Sequence, residues 1–472
     1  MQNKRDQVQS HLCVVGRLNA AIVSGDPDTP DPPMKRITSG TIIGGVIGAL
    51  VVAGFGIYGL IRPGGSKDWK AEGSLISVKE SSARYVYLKG ALHPVVNVAS
   101  GRLISGRNNK VISVSEKTLA GTPRGLPVGI QGAPDALPKS DKLLGRDWLV
   151  CATPRTSAAG TVTDLTLVTL NVPVPASATG ADEAVLVQTR NGQKHLLWKG
   201  RRYRFATAAG PLSLGYRDTV AFRVADQWIN ILPAGSDLAP PAVPGRGRPG
   251  PVLGGRATRL GQVFVTENPG TAKQYFVLLA DGLHQVSETV ADLLLGDPVS
   301  TAAYGGGPVR AVPLAPAAAA GSLANAPLAG ADLPGVPPAV RQQGGNDRPV
   351  CASGKAGSPR GATVQIVVPA SGAPAGGVPV TDADPRTAAS VLVRSGTGAL
   401  VQSLPAPGNR TGTRYLITDV GVKFPVPSDD DLGALGYAGV APVPVPPAVL
   451  ELLPSGPPLN RTAAAQTQIT RA

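Results

Sequence analysis

Apolar residues follow three rhythms along this chain. Between Arg5 and Val23 they stand at Val8, Leu12, Val15, Leu18 and Ile22, a spacing of four and three that makes one face of an amphipathic helix. Gly25, Asp26 and Pro27 stop that helix, and a proline-rich, extended tether follows. From Thr38 to Ile61 the alternation vanishes, with no charge between Arg36 and Arg62. At about 1.5 Å of rise per residue this run covers the ~30 Å hydrocarbon layer. It is too long for the apolar region of a cleaved leader and predicts one transmembrane helix over 38–61. Gly40, Gly44, Gly48 and Gly56 fall four or eight apart along it, beside a second row of Gly45, Ala49 and Ala53. Small residues let helix backbones approach where lipid supplies no hydrophobic drive, so this face is expected to pack on other membrane helices.

The third rhythm is that of short strands. Tyr85 to Gly90, Leu186 to Gly192, Val277 to Gly282 and Tyr415 to Gly421 are each an apolar run ending at a glycine turn. Asn191-Gly192 and Asp281-Gly282 are two-residue hairpin signals. Ser115-Glu116, Ser287-Glu288 and Ser428-Asp429 precede spaced leucines, the pattern of a capped helix start. The reading is four repeat modules of hairpin plus short helix, turning at Gly90, Gly192, Gly282 and Gly421. Their uneven spacing excludes a regular solenoid.

The segments around Asp147 to Cys151, Val162 to Val172, Val350-Cys351, Val364 to Val368 and Val391 to Val393 are left to form a β-rich central core. The expected fold class is a single-pass membrane protein with a large α/β (α+β) body. Its divisions are 1–37, N-terminal helix and linker; 38–61, membrane helix; 66–135, module 1; 140–180, first part of the core; 181–245, module 2; 255–300, module 3; 301–349, flexible linker; 350–408, second part of the core; 409–440, module 4; and 441–472, a proline-rich tail.

Composition agrees with short strands and tight turns: 59 glycines and 46 prolines among 472 residues, with only 4% aromatic residues. The net charge of +14 is spread along the chain without a basic helix or a stacking platform of aromatics, which argues against nucleic acid. Cys13 precedes the membrane run, whereas Cys151 and Cys351 follow it, the pattern of a body in an oxidising compartment. Two readings stay open for the latter pair: free buried thiols, or a disulfide closing a loop worth about 5 kcal/mol in the chain-entropy model. Flanking charge does not decide the orientation.

No G-x-x-x-x-G-K-[ST] loop occurs; Ser353-Gly354-Lys355-Ala356 is the nearest approach. His11, His93, His195 and His284 stand alone, no G-x-S-x-G elbow is present, and Asp429, Asp430 and Asp431 suit a helix start. Catalytic residues, cofactors and metals are therefore not expected.

RDQVQSHLCVVGRLNAAIVSGDPDTPDPPMKR, GFGIYGLI, LHPVVNVASGRLI, GTPRGLPVGIQGAPDALP, WLVCATP, LPAGSDLAPP, YLITDVGVKFPVP with ALGY, and LPSGPPL occur in that order. Together they resemble the EccB membrane component of actinobacterial type VII (ESX) secretion systems, from residue 4 to about 459. The resemblance implies an inner-membrane protein with a cytoplasmic N-terminus, one membrane helix and a periplasmic body. It further implies a Cys151–Cys351 disulfide and repeat modules in quasi-twofold array about the core. The partners it implies are an EccC-type motor ATPase, EccD-type and EccE-type membrane proteins and other copies of the chain. Members of the family also carry an ATPase designation, so a periplasmic-face ATP hydrolase without a Walker motif is the alternative to a structural component. A wall-binding protein anchored alone is a third reading.

Overall fold

The computed structural model describes residues 3–28, 34–61, 67–106, 110–144, 147–156, 162–172, 176–324, 328, 332–342, 348–355, 363–369, 374, 376–381, 384, 386–404 and 412–468. Part of the tether (29–33), part of the expected linker (343–347) and the last residues of the tail (469–472) lie outside these. The chain divides into two compact units: residues 1–83, 87–91 and 111–123 in one, and 84–86, 92–110 and 124–472 in the other.

In the first unit, Lys4–Ser24 is helical and ends on Gly25, whose φ of 72° is the left-handed cap that glycine adopts without strain. Val8, Leu12, Val15, Leu18 and Ile22 are all exposed. The second helix, Met34–Ile61, starts four residues before the uncharged run, because backbone hydrogen bonding continues into its polar flank. Its Ile37–Tyr58 segment is long and apolar enough to cross a membrane, and is wholly exposed. Beyond it, Leu75–Val78 pairs in parallel with Val111–Val114, and buried Trp69 meets Tyr87 edge-on at 5.7 Å.

The second unit is built on a seven-stranded sheet. Its spatial order is Val378–Pro379, Ser390–Val393, Val162–Leu170, Asp147–Thr156, Val350–Lys355, Thr363–Pro369 and Ala176–Ala178. Only the Ser390–Val393 and Val162–Leu170 pair is parallel. Strict alternation sends Trp148, Val150, Ala152, Val168, Val350, Ala352 and Ile366 into one large core. Leu149, Cys151, Cys351 and Val367 make a small separate cluster on the opposite face.

Three further sheets share one topology. In the first, Arg201–Arg204, Lys194–Trp198, Glu183–Thr189 and Phe222–Val224 lie side by side; in the second, Gly282–Val286, Gln274–Leu279, Val263–Thr266 and Val312–Pro313. The third holds Lys423–Pro425, Arg414–Ile417, Gly398–Ser403 and Val443–Val445. Each is a three-stranded antiparallel meander whose first strand also takes a parallel neighbour. A parallel neighbour needs a crossover, supplied by the helices Gly210–Ser213, Glu288–Leu295 and Asp429–Leu435. Ser287 and Ser428 cap the latter two through the Val290 and Asp431 amides.

Three stretches differ from the reading of the sequence. Within 301–349, Val312–Pro313 completes a sheet, Pro316–Ala320 is helical and Ala339–Val340 pairs with Glu183 and Ala184. Val312, Leu314 and Ala319 pack with the cluster of Phe264 and Phe276, and Leu333 and Val340 with that of Tyr203 and Phe205, so a few apolar side chains in an Ala-, Gly- and Pro-rich stretch suffice to seat it. Gly398–Ser403, assigned to the core, is the first strand of the last small sheet. Beyond 441, Val443–Val445 is a strand, Pro447–Glu451 and Arg461–Ala464 are helices, and Leu459 is buried. Leu450, Leu452, Leu453 and Leu459, all at most 4% exposed, anchor that proline-rich run.

Candidate functional site

Four features of the second unit converge on its central sheet. The first is covalent. Cys151 and Cys351 stand directly opposite on antiparallel strands, flanked by Val150↔Ala352 and Ala152↔Val350. Their Cα atoms are 4.0 Å apart and their sulfurs are bonded, closing 200 residues of chain. Both are fully buried. Residues 183–340, with two of the small sheets, lie inside this loop.

The second and third features are the seats of two helices. Trp228, on Asp226–Ile229, is fully buried in the large core and its indole donates to the Val150 carbonyl at 3.0 Å. Helix Pro447–Glu451 brings Val449 and Leu450 into the same core. The Lys423 ammonium lies at the C-terminal end of that helix, donating to the Leu450 carbonyl and, at 2.8 Å, to that of Leu453. A cation there gives the Leu450 carbonyl, which already accepts from the Leu453 amide, a further donor and complements the helix dipole. Burial holds the Lys423 pKa below its ordinary value. Arg202 stands at the matching place near Asp226–Ile229, donating to Asn230 Oδ1 at 2.6 Å.

The fourth feature is a pair of tyrosines. Tyr216 donates through its hydroxyl to the Pro338 carbonyl at 2.9 Å, and Tyr437 to that of Pro138 at 2.8 Å. Burial raises both phenol pKa values, so the hydroxyls stay donors at any ordinary pH. The tyrosines hold segments entering the two disulfide-bearing strands, Leu143–Leu144 pairing with Gly398 and Ala399, and Ala339–Val340 with Glu183 and Ala184.

The other expected positions are scattered. Gly40, Gly44, Gly48 and Gly56 have open space where a Cβ would be. Gly90, Gly282 and Gly421 fall between or at the ends of second and third strands, whereas Gly192 closes the hairpin between Glu183–Thr189 and Lys194–Trp198. In that sheet the second turn is Lys199-Gly200, both at positive φ like Lys89-Gly90.

Ser353, Gly354 and Lys355 lie on a paired strand, where a Cβ at Gly354 would meet the Trp148 indole at 2.0 Å. A phosphate cradle needs free amides in a loop opening a helix, and this glycine serves packing instead. Asp431 bonds Ser428 Oγ and the Arg461 amide, while Asp429 pairs with Arg414. Those acids close a helix N-terminus. Among the described residues no group of three or more His, Cys, Asp or Glu could hold a metal. His195 is buried, and that burial, then the nearby Arg202 and Arg204, push its pKa down to about 4. It is held neutral. Sequence reasoning missed Trp228, Lys423, Arg202 and both tyrosines; the shared Leu-Pro-x-Gly of LPAG and LPSG was the available signal for the two seats.

The family model described as "Type VII secretion system ESX-1, transport TM domain B" matches residues 2–470. The relative named ESX-3 secretion system ATPase EccB3, from Mycolicibacterium smegmatis, is 27% identical over 97% of this chain and 89% of its own length. A chain in the structure of an intact ESX-5 inner membrane complex aligns at a TM-score of 0.69 and 26% identity, covering 100% of this chain and 97% of that one. A chain in the periplasmic assembly from the ESX-5 inner membrane complex aligns at 0.68 and 28% identity, covering 88% and 99%.

Proposed function

This chain belongs to the EccB family of type VII (ESX) secretion membrane components, and we propose that it anchors and assembles the periplasmic part of its secretion complex. It is a structural component of a type VII secretion system. The finer reading places Lys4–Ser24 in the cytoplasm, Ile37–Tyr58 in the inner membrane and the second unit in the periplasm. The observation that carries this orientation is the Cys151–Cys351 bond, since disulfides persist in oxidising compartments. Its partners are an EccC-type motor ATPase, EccD-type and EccE-type membrane proteins and further copies of itself, with the open Gly40, Gly44, Gly48 and Gly56 face packing against other membrane helices.

The repeat reading belongs to the same proposal. Along 75–119, 183–229 and 398–451 the element order is three strands, a helix, a strand and a second helix, and 263–320 follows it with the 3-10 helix Pro298–Tyr304 added before its last strand. Four equivalent hydrogen bonds support it: Gly125 to Leu92 at 3.0 Å, Gly235 to Arg202 at 2.8 Å, and Ala324 to Leu283 and Gly456 to Lys423 at 2.9 Å, amide to carbonyl. The domain limits proposed are those read from the sequence, with module 3 running from 263 to 320 and module 4 from 398 to 451. Modules 2 and 4 carry the cation and the seated helix, whereas modules 1 and 3 have Leu92 and Leu283 at the cation's position. The chain then reads as two halves, each an odd module, a core hairpin and an even module, meeting at the disulfide.

Mild detergent extraction of native membranes, size separation and identification of whatever travels with the chain tests the proposal. Co-migration in a very large species with a P-loop motor and multi-span membrane proteins is expected. Migration as a lone monomer or dimer, with those proteins intact in another fraction, would overturn it.

A further inference from the structure

The segment between modules 2 and 3 does something that the two-halves arrangement does not require. From Gly247 to Leu260 the chain folds into a small hairpin, with Gly250 and Thr258, Leu253 and Arg256, and Arg248 and Leu260 bonded across it. Gly254 and Gly255, with φ of 55° and 75°, make its turn, the geometry that glycine adopts most readily. A Cβ at Gly250 would strike Thr258 Oγ1 at 2.7 Å, and one at Gly247 the Ala302 carbonyl oxygen at 2.8 Å. Leu253 and Leu260 lock the hairpin into a cluster with Phe264, Phe276, Leu278 and Leu283.

What this rigid construction displays is charge. Arg248, Arg256 and Arg259 are exposed, and among the described residues no carboxylate pairs with any of them. Arg259 spends one N–H on the Gly247 carbonyl at 2.8 Å, which fixes its direction. Arg246 differs, tucked inward on Asp297 and Ser300. Between the arginines Val252 is 68% exposed. No acidic residue occurs from 241 to 266.

We propose that this hairpin docks an acidic surface of another protein subunit of the membrane complex, an inference that rests on the secretion-component reading above. Guanidinium forks match carboxylates bidentately, and arginine beside an exposed aliphatic side chain is interface composition. A fluid anionic lipid surface takes cations on any mobile tail and needs no such backbone specification. Two copies of this hairpin set face to face would bring arginine against arginine, which repels. The partner is therefore acidic and of a different sequence.

The test uses the full chain in its native membrane with the photo-crosslinker p-benzoylphenylalanine replacing Val252. After irradiation, the crosslinked peptide is identified and its yield compared across variants of matched thermal midpoint. Expected is one peptide from a different polypeptide, rich in Asp and Glu. Its yield should fall at least about tenfold in R248E/R256E/R259E, or in the milder triple Arg→Gln variant should the reversal not fold. R217E, an exposed reversal elsewhere in the same unit, should leave it unchanged. Crosslinks to lipid only, to another copy of the chain, to a peptide without excess acid, or at a yield indifferent to the three arginines would overturn the proposal. Co-migration of the chain with the large complex, read on the same membranes, tests the secretion reading separately.

Discussion

The two seats on the central sheet meet one requirement with different side chains. Their backbones agree: the Arg202 amide bonds the Pro233 carbonyl and the Lys423 amide that of Pro454, both at 3.0 Å. At the first seat an indole enters the core and answers the Val150 carbonyl, while Arg202 remains half-buried at the edge. At the second the core is filled by Val449 and Leu450, and it is the cation, Lys423 at 8% exposure, that goes inside. The polar obligation has moved from the strand to the end of the helix. A conserved backbone slot thus constrains where a donor is needed less than whether one is supplied, because an unmade buried bond costs more than a made one contributes.

The largest test acts on both seats at once. Replacing Cys151 and Cys351 by alanine restores the freedom of a 200-residue loop to the unfolded chain, an expected loss of about 5 kcal/mol. Urea unfolding followed by Trp228 fluorescence and, separately, by a probe near Leu450 should show both seats loosening at a lowered midpoint. An unchanged midpoint would mean that the sheet holds its halves without the bond.

The seats should then separate. Trp228→Ala removes a fully buried ring together with its hydrogen bond to the Val150 carbonyl, which should cost about 4 kcal/mol. The expectation is checked by comparing hydrogen exchange at the two seats: opening should be concentrated at the first. Equal loosening at the second seat would show one cooperative core instead of two seats.

Acidity distinguishes the two small sheets as well, since His195 stands on Lys194–Trp198 and no histidine stands on Arg414–Ile417. Its folded pKa of about 4 lies below the unfolded value of about 6.5. The unfolded chain therefore binds more protons as pH falls from 6.5 toward 4, and up to about 3 kcal/mol of stability is lost across that window. Asp292, raised to about 6 by burial and then by Glu288, works in the opposite sense over nearly the same range, gaining stability as pH falls. His195→Gln should consequently become steadily more stable relative to the parent between pH 6.5 and 4. Parallel stability curves for the two proteins would remove His195 from the account.

Removing the buried cation is a smaller step. Lys423→Met keeps the stem but abandons the Leu450 and Leu453 carbonyls, for about 2 kcal/mol, whereas Arg202→Met at the half-buried equivalent should cost under about 1 kcal/mol. Chemical-denaturation midpoints of the two variants decide it, and a reversed order would invert the comparison.

How much of this was legible follows from the range over which each signal acts. The long apolar helix and the helical spacing of apolar residues along Lys4–Ser24 were readable because both signals are local. The strand-and-turn character of the body was readable too, but its register was not. Gly192 and Gly282 look alike in sequence although they close different turns, and Ser115 opens the helix after a parallel strand whereas Ser287 and Ser428 open crossover helices. In 75–119 the crossover helix is capped by Asn97, through the Ser100 amide, without the serine-acid pattern. The short strands Val312–Pro313 and Val443–Val445 were hidden because their partners lie far back in the chain. Trp228 and Lys423 could not be located from composition, since what makes each matter is a carbonyl contributed by another element.

The smallest expected effect examines the symmetry itself. Tyr216 and Tyr437 each reach a proline carbonyl more than 100 residues away, and Pro138 and Pro338 share the 200-residue separation of the two cysteines. If the halves are equivalent, Tyr216→Phe and Tyr437→Phe remove the same bond and each should cost about 1 kcal/mol, the usual worth of a neutral hydrogen bond. The sites are far apart along the chain and share no partner, so the double variant should lose the sum. The inequality to look for runs one way: Tyr437 is 1% exposed and Tyr216 8%, so water can reach the Pro338 carbonyl more readily once its donor is gone. Tyr437→Phe should therefore be the costlier of the pair by a few tenths of a kcal/mol. Thermal midpoints of the two single variants and the double one measure this directly, and a cost confined to one tyrosine would show that the two halves, alike in backbone, do not bear load alike.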